Sequence, residues 1–152
     1  MSAHPLIVGL GGTTRIGSTT ERALRIAMSR AEALGARTRL FTSTDLNLAH
    51  FDPNTAERGP QEIALVEALR QADGVIIATP SYHGSISGMV KNALDYTEDL
   101  RRDARPYLES RAVGCIVCAE GPQAMGATLA ALRAIVHALR GWPTPYGAVV
   151  NT

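Results

Sequence analysis

The stretch HPLIVGLGGTTRIGSTTERAL, residues 4–24, joins an apolar run to a loop of glycines and hydroxyls and then to the first turns of a helix. A strand that feeds a helix through such a loop is the opening unit of an open α/β sheet. The loop half-matches two phosphate-binding patterns and completes neither. Gly9-Leu10-Gly11-Gly12-Thr13-Thr14 begins like the dinucleotide pattern G-x-G-x-x-G, but Thr14 stands in the place of the third glycine. Gly12, Gly17, Ser18 and Thr19 have P-loop spacing, with Ser18 where the lysine would reach the outer phosphates. What remains is a helix N-terminus lined with hydroxyls and one arginine, which suits a terminal phosphate monoester.

Outward from this unit the chain alternates regularly. From Ser18 the helix carries Ala23, Ile26, Ala27, Ala31 and Leu34 as its apolar stripe and stops at Gly35. ARTRLFT alternates with period two and is predicted as a strand with one wetter face, while STDLNLAHFDPNTAERG is turn-rich and predicted as loop. PQEIALVEALRQA has proline at a helix start and a stripe near Ile63, Val66 and Leu69. DGVIIAT and RAVGCIVCA are continuous apolar runs, as expected of strands buried on both faces. SGMVKNALDYTEDL and QAMGATLAALRAIVHALRG are predicted helices, the second closed by Gly141, and TPYGAVVN is predicted as the last strand.

That order is β-α-β-α-β-α-β-α-β, which predicts a parallel sheet with helices on both faces, in one domain spanning residues 1–152. Ligands of such sheets sit beyond the carboxyl ends of the strands, and three loops rich in glycine, serine, threonine or proline occupy that edge: residues 11–18, 79–87 and 119–126. With 45% apolar residues the chain can bury a real core, and a net charge of +1 with mixed signs offers no basic stripe for nucleic acid. Aromatics at 5% are too sparse for a base-stacking platform. The longest apolar runs fall far short of a membrane span, and no signal-peptide pattern is present, so the cytoplasm is the expected compartment. Cys115 and Cys118 form a C-x-x-C inside a strand-like run. Positions i and i+3 of a strand point to opposite faces, so the two are expected to be core residues rather than a redox pair or metal ligands.

The middle loop carries a resemblance. ATPSYHGSISGMVKNALDY, residues 78–96, resembles the signature of the NADPH-dependent FMN reductase family, P-x-Y-x-x-S-x-x-x-x-x-K-x-x-x-D, at Pro80, Tyr82, Ser85, Lys91 and Asp95. The first loop is similar to the family's G-S-x-R-x-x-S-x-N at Gly12, Arg15 and Ser18, with Thr13 in place of the first serine and Thr20 in place of the asparagine. The resemblance implies a three-layer flavodoxin-like fold, α/β, with a five-stranded parallel sheet of order 2-1-3-4-5 and helices on both faces.

It also implies the site. Thr13, Arg15, Ser18, Thr19 and Thr20 would hold the FMN phosphate, with Arg15 alternatively at the 2′-phosphate of NADPH. The bland reading is Ser18 or Thr19 as a simple N-cap and Glu21 as a solvated carboxylate. Pro80, Ser81, Tyr82, His83, Gly84 and Ser85 would line the flavin, His83 through its backbone rather than as an acid or base. Glu120 and Gly121 belong to the third loop, where Glu120 and Pro122 depart from the family's glycine- and serine-rich segment. The family reading is an oxidoreductase in which NADPH or NADH reduces FMN, with no catalytic side chain and no metal. Its electrons pass to a small-molecule acceptor or a flavin-dependent monooxygenase; the rival readings are a flavodoxin-like electron carrier or a non-catalytic relative. Met89, Val90, Leu94 and Tyr96 are expected to make a homodimer or homotetramer through residues 87–100; the family usually has one further helix after the last strand, which is either absent or lies beyond residue 152.

Overall fold

The apolar run Leu6–Gly11 forms β1 and lies between two parallel partners, Arg37–Thr42 (β2) and Gly74–Tyr82 (β3), in a computed structural model that describes residues 4–152. Ala112–Ala119 (β5) adds in parallel to β3. Between β1 and β2 runs α1 (Thr19–Ala33), between β2 and β3 α2 (Pro60–Gln71), between β3 and β5 α3 (Gly88–Asp95), and after β5 α4 (Pro122–Ala138). Leu24 and Met28 of α1 pack on one face of the sheet against Ala78, Ile116 and Cys118. The helices α2, α3 and α4 cover the other face through Leu65, Leu69, Val90, Leu94, Leu132 and Val136. Three layers with the order 2-1-3 and then β5 are the flavodoxin-like arrangement expected.

Seven strands are described rather than five. One extra strand is β4 (Ser85–Ile86), an antiparallel return on the end of β3. The fifth position is split: β6 (Trp142–Pro143) pairs with the start of β5 and β7 (Ala148–Asn151) with its end. Pro143 and Pro145 remove two ladder donors from this edge. At Gly147 the chain presses against α4, where a Cβ would lie 2.7 Å from Leu129 Cδ1. The segment between therefore leaves the ladder and rejoins it.

Two helix faces differ from the expected stripes. On α1 the buried residues are Thr20, Glu21, Leu24 and Met28, while Ile26 and Leu34 are 72% and 73% exposed. On α2, Val66 and Leu69 are core as expected, joined by Leu65 and Ala68, but Ile63 is exposed. α1 does stop at Gly35, whose φ of +91° lets its N–H and that of Ala36 turn back onto Glu32 and Ala31. At the end of α4 the left-handed position is taken by Arg140 (φ +62°), with Gly141 following.

Residues 87–100 are also not an open helix face. The helix tightens to a 3₁₀ segment over Tyr96–Leu100, and Val90, Leu94 and Tyr96 are core, with Met89 half-buried against it. A strap formed by residues 49–58 covers this region. Asn92 accepts from Phe51 N–H (2.9 Å) and donates to Ala49 O (2.8 Å), and Tyr96 Oη donates to the same carbonyl (2.9 Å). Arg58 pairs bidentately with Asp99 at 2.7 and 2.9 Å and lies over the rings of Phe51 and Tyr96. Lys91 and Asp95 make a 2.6 Å pair on the exposed side of α3, worth little on its own.

At the opposite end of the sheet from the three loops, Arg111 is buried without a carboxylate partner. Its guanidinium donates to the carbonyls of Ala72 (3.1 Å), Tyr107 (3.1 Å), Glu109 (3.3 Å) and Arg70 (2.9 Å). It thereby closes the C-terminus of α2 and fixes the turn into β5.

Candidate functional site

The first loop is shaped by glycine. Gly11 has a φ of +143°, and a Cβ there would lie 1.9 Å from Ala78 O, so β1 and β3 approach as closely as they do only because the side chain is absent. Gly12 (φ +108°) donates to that same carbonyl at 3.1 Å, tying the loop to the end of β3. Thr13 Oγ1 accepts from Arg15 N–H (3.1 Å), and Ser18 Oγ accepts from Glu21 N–H (3.2 Å) as the N-cap of α1. Capping uses a lone pair of Ser18 and leaves its proton to donate elsewhere. Among the described residues nothing accepts from the N–H groups of Thr14, Ile16, Thr19 or Thr20. These donors are grouped at the positive end of a 15-residue helix, the kind of place where backbone N–H groups can take an anion. Arg15 is exposed, and its guanidinium has no partner among the described residues.

Glu21 is not solvated. It is buried, and its carboxylate accepts from Gly17 N–H (2.9 Å), Ser43 Oγ (3.0 Å) and Arg25 Nε (2.9 Å). Burial pushes its pKa up, but the hydrogen bonds from Gly17, Arg25 and Ser43 outweigh that and hold it below the usual carboxylate range. The sequence signal for this residue is the capping-box spacing Ser18-x-x-Glu21; here the carboxylate reaches one residue further back, to Gly17. Thr20 is buried too, with its hydroxyl toward the Cys118 sulfur rather than the loop opening.

The second loop is a two-residue hairpin. β3 ends at Tyr82, His83 (φ +52°) and Gly84 (φ +79°) make the turn, and Ser85 pairs back with Tyr82. Two successive left-handed residues are what a type I′ connection requires. Tyr82, His83, Gly84 and Ser85 are exposed at its tip, and a Cβ on Gly84 would meet nothing within 4 Å. Pro80 is buried, and Thr79 Oγ1 anchors the return by accepting from Ser87 N–H at 3.0 Å. Ser81 turns its hydroxyl to α4, 2.6 Å from Thr128 Oγ1.

The third loop is shorter than expected, because α4 already begins at Pro122. Gly121 (φ +84°) is its N-cap without a capping side chain, and its own N–H is held by Asn151 Oδ1 at 3.0 Å. Asn151 is a contributor that no local pattern marks. Gly84, Glu120, Gly121, Gln123 and Ala124 line an open cleft of about 590 Å³ between the hairpin tip and the start of α4. Glu120 is exposed at its rim.

The two cysteines lie on opposite faces of β5, Cys115 in the core beneath α4 and Cys118 beneath α1. Both are reduced and buried, and burial raises both thiol pKa values, with Thr20 pulling Cys118 partly back. Neither can attack as a thiolate at neutral pH. Replacing both by alanine is expected to cost about 1–3 kcal/mol of stability with flavin binding unchanged; titration of the native protein with a thiol reagent should find no reactive group. No cluster of metal-ligating side chains occurs among the described residues.

A family model described as NADPH-dependent FMN reductase matches residues 5–152. The chain belongs to that family. A quinone reductase of Escherichia coli is 37% identical over 101 residues, 66% of this chain and 54% of that protein. An FMN reductase (NADPH) of the same species is 31% identical over 139 residues, 88% of this chain and 63% of its own length. The chain thus spans little more than half the length of these relatives. The solved apo form of an NADH:FMN oxidoreductase superposes with a TM-score of 0.75 at 21% identity, covering 96% of this chain and 75% of that one. The family's cofactor fits the edge described: a phosphate finds the free N–H groups at the start of α1, and a ring system finds open space beside Gly84 and Gly121.

Proposed function

We propose that the protein is an NAD(P)H-dependent FMN reductase that binds FMN across the three loops and passes electrons to a small-molecule acceptor such as a quinone or free flavin. The observation that carries this reading is the row of unpartnered N–H groups at the N-terminus of α1, which opens on the same sheet edge as the hairpin and the cleft. FMN, when bound, would supply the redox chemistry between the nicotinamide and the acceptor. The N–H groups of Thr14, Ile16, Thr19 and Thr20, with the Ser18 hydroxyl and Arg15, hold the phosphate. The hairpin 82–85 walls the ring with Tyr82 and offers backbone donors at its polar edge, while Gly121 lets the chain pass close by. His83 serves through its backbone, and Glu120 stays exposed at the rim.

A monooxygenase that takes reduced FMN is the alternative acceptor. Association of copies through residues 87–100 would have to use the outer polar side with Lys91 and Asp95, since Val90, Leu94 and Tyr96 are spent in the protein's own core.

The test is an absorbance spectrum of the purified protein, followed under anaerobic conditions with NADH and with NADPH. Yellow protein that bleaches, or colourless protein that consumes NAD(P)H once FMN is added, is the expected result; no flavin binding and no turnover would refute it. Ser18→Ala is expected to weaken FMN by about 1–2 kcal/mol through the lost charge-assisted bond and to cost about 1 kcal/mol of stability through the lost cap. Riboflavin, without the phosphate, should bind poorly and feel the substitution little.

A further inference from the structure

Glu21 presents a physical problem: a carboxylate, 3% exposed, stands in the first turn of the helix whose N-terminus is read as the phosphate site. A bare negative charge there would oppose a bound phosphate. Its arrangement removes the conflict. Oε1 takes both Nε (2.9 Å) and Nη2 (2.8 Å) of Arg25, so the charge is balanced on the side away from the loop. Oε2 takes Gly17 N–H (2.9 Å) and Ser43 Oγ (3.0 Å), linking the loop to the first residue after β2. The same residue also underlies the other end of the loop, since a Cβ on Gly12 would lie 3.6 Å from Glu21 Cβ. Both glycines are left-handed, Gly12 at +108° and Gly17 at +72°, and such conformations hold only where the surroundings impose them.

We propose that Glu21 is a positioning residue for the phosphate loop, drawing the Gly17 N–H inward onto its carboxylate so that the N–H groups of Thr14, Ile16, Thr19 and Thr20 are left facing the anion. This rests on the reading of the edge as an FMN site. Without Glu21, Gly17 N–H and the Ser43 hydroxyl lose their shared acceptor, the peptide before Gly17 is free to rotate, and the nest loses its fixed curvature. The phosphate would then have to order the loop as it binds, and affinity falls. Glutamine at this position keeps an oxygen for Gly17 and Ser43 while giving up the ion pair with Arg25, so it separates loop positioning from charge.

The experiment measures FMN and riboflavin dissociation constants by fluorescence quenching for the wild type, Glu21→Gln, Glu21→Ala and Ser43→Ala, with a urea transition on each to confirm folding. Glu21→Ala is expected to weaken FMN about tenfold or more, with riboflavin moved less than about twofold; Glu21→Gln should recover most of the loss, and Ser43→Ala should show a smaller, equally phosphate-selective loss. A role in helix capping alone would weaken both flavins alike, and that result, or unchanged FMN affinity in folded Glu21→Ala, overturns the proposal. If Glu21→Ala does not fold, Ser43→Ala decides: equal effects on FMN and riboflavin, or none on either, overturn it. A wild type that binds riboflavin as tightly as FMN refutes the phosphate site itself. A discriminating wild type with an equally discriminating Glu21→Ala refutes only the role of Glu21.

Discussion

Gly11→Ala is expected to lose about 3–5 kcal/mol of stability, as the sum of backbone strain and overpacking. The added Cβ would lie 1.9 Å from Ala78 O, 2.7 Å from its carbonyl carbon and 2.9 Å from its nitrogen. All three are backbone atoms of the neighbouring central strand, so no rotamer change relieves the clash. A φ of +143° at Gly11 adds the penalty of a conformation that L side chains avoid. The strands must part at their carboxyl ends, which also breaks the Gly12 N–H to Ala78 O bond and tilts the phosphate loop away from the hairpin. Urea denaturation should show a lower midpoint, and any protein that remains folded should bind FMN weakly. An unchanged midpoint would mean that β1 and β3 are not packed as described.

Arg111→Met is the second large effect, with an expected loss of about 3 kcal/mol or more, because removing a buried donor strands its acceptors. Methionine fills much of the volume, so what is lost is hydrogen bonding to the carbonyls of Arg70, Ala72, Tyr107 and Glu109. Burial, with Arg105 nearby, lowers the Arg111 pKa to about 10, so the guanidinium stays protonated at neutral pH. Lysine should rescue only part of the loss, since a point charge cannot fan its donors across these carbonyls. Arg111 precedes the first residue of β5, and the edge proposed to bind FMN follows its last. FMN affinity of the folded fraction should therefore be unchanged, and a loss of affinity equal to the loss of stability would contradict this separation.

Ala23 and Ala27 of α1 and Val66 and Leu69 of α2 pack inward as their spacing implies, and the departures are Ile26, Leu34 and Ile63. On α1, Glu21 is inside as the acceptor for Gly17 and Ser43, and Thr20 is inside with its hydroxyl toward Cys118, while Ile26 and Leu34 turn out to water. The apolar spread of residues 87–100 was legible, but not what it faces. Met89, Val90, Leu94 and Tyr96 serve the core and the strap at residues 49–58 rather than an open face, because that strap comes from a segment some 40 residues earlier in the chain.

The alternation of strands and crossover helices, the parallel sheet, the three loops at its carboxyl edge, the core placement of Cys115 and Cys118, and the glycine- and hydroxyl-rich helix start of the first loop were all legible in the residues alone. Each is a property of neighbouring residues: a period, a run of β-branched side chains, hydroxyls beside glycines at a helix start. The packed fold alone splits the fifth strand position, gathers four carbonyls on Arg111, turns Thr20 and Ser81 away from the loop openings while Asn151 holds Gly121, and joins Gly17 and Ser43 on the Glu21 carboxylate. Those outcomes depend on which backbone donors and acceptors segments far apart in sequence bring together, and a buried polar group takes whatever partner the packed fold offers it.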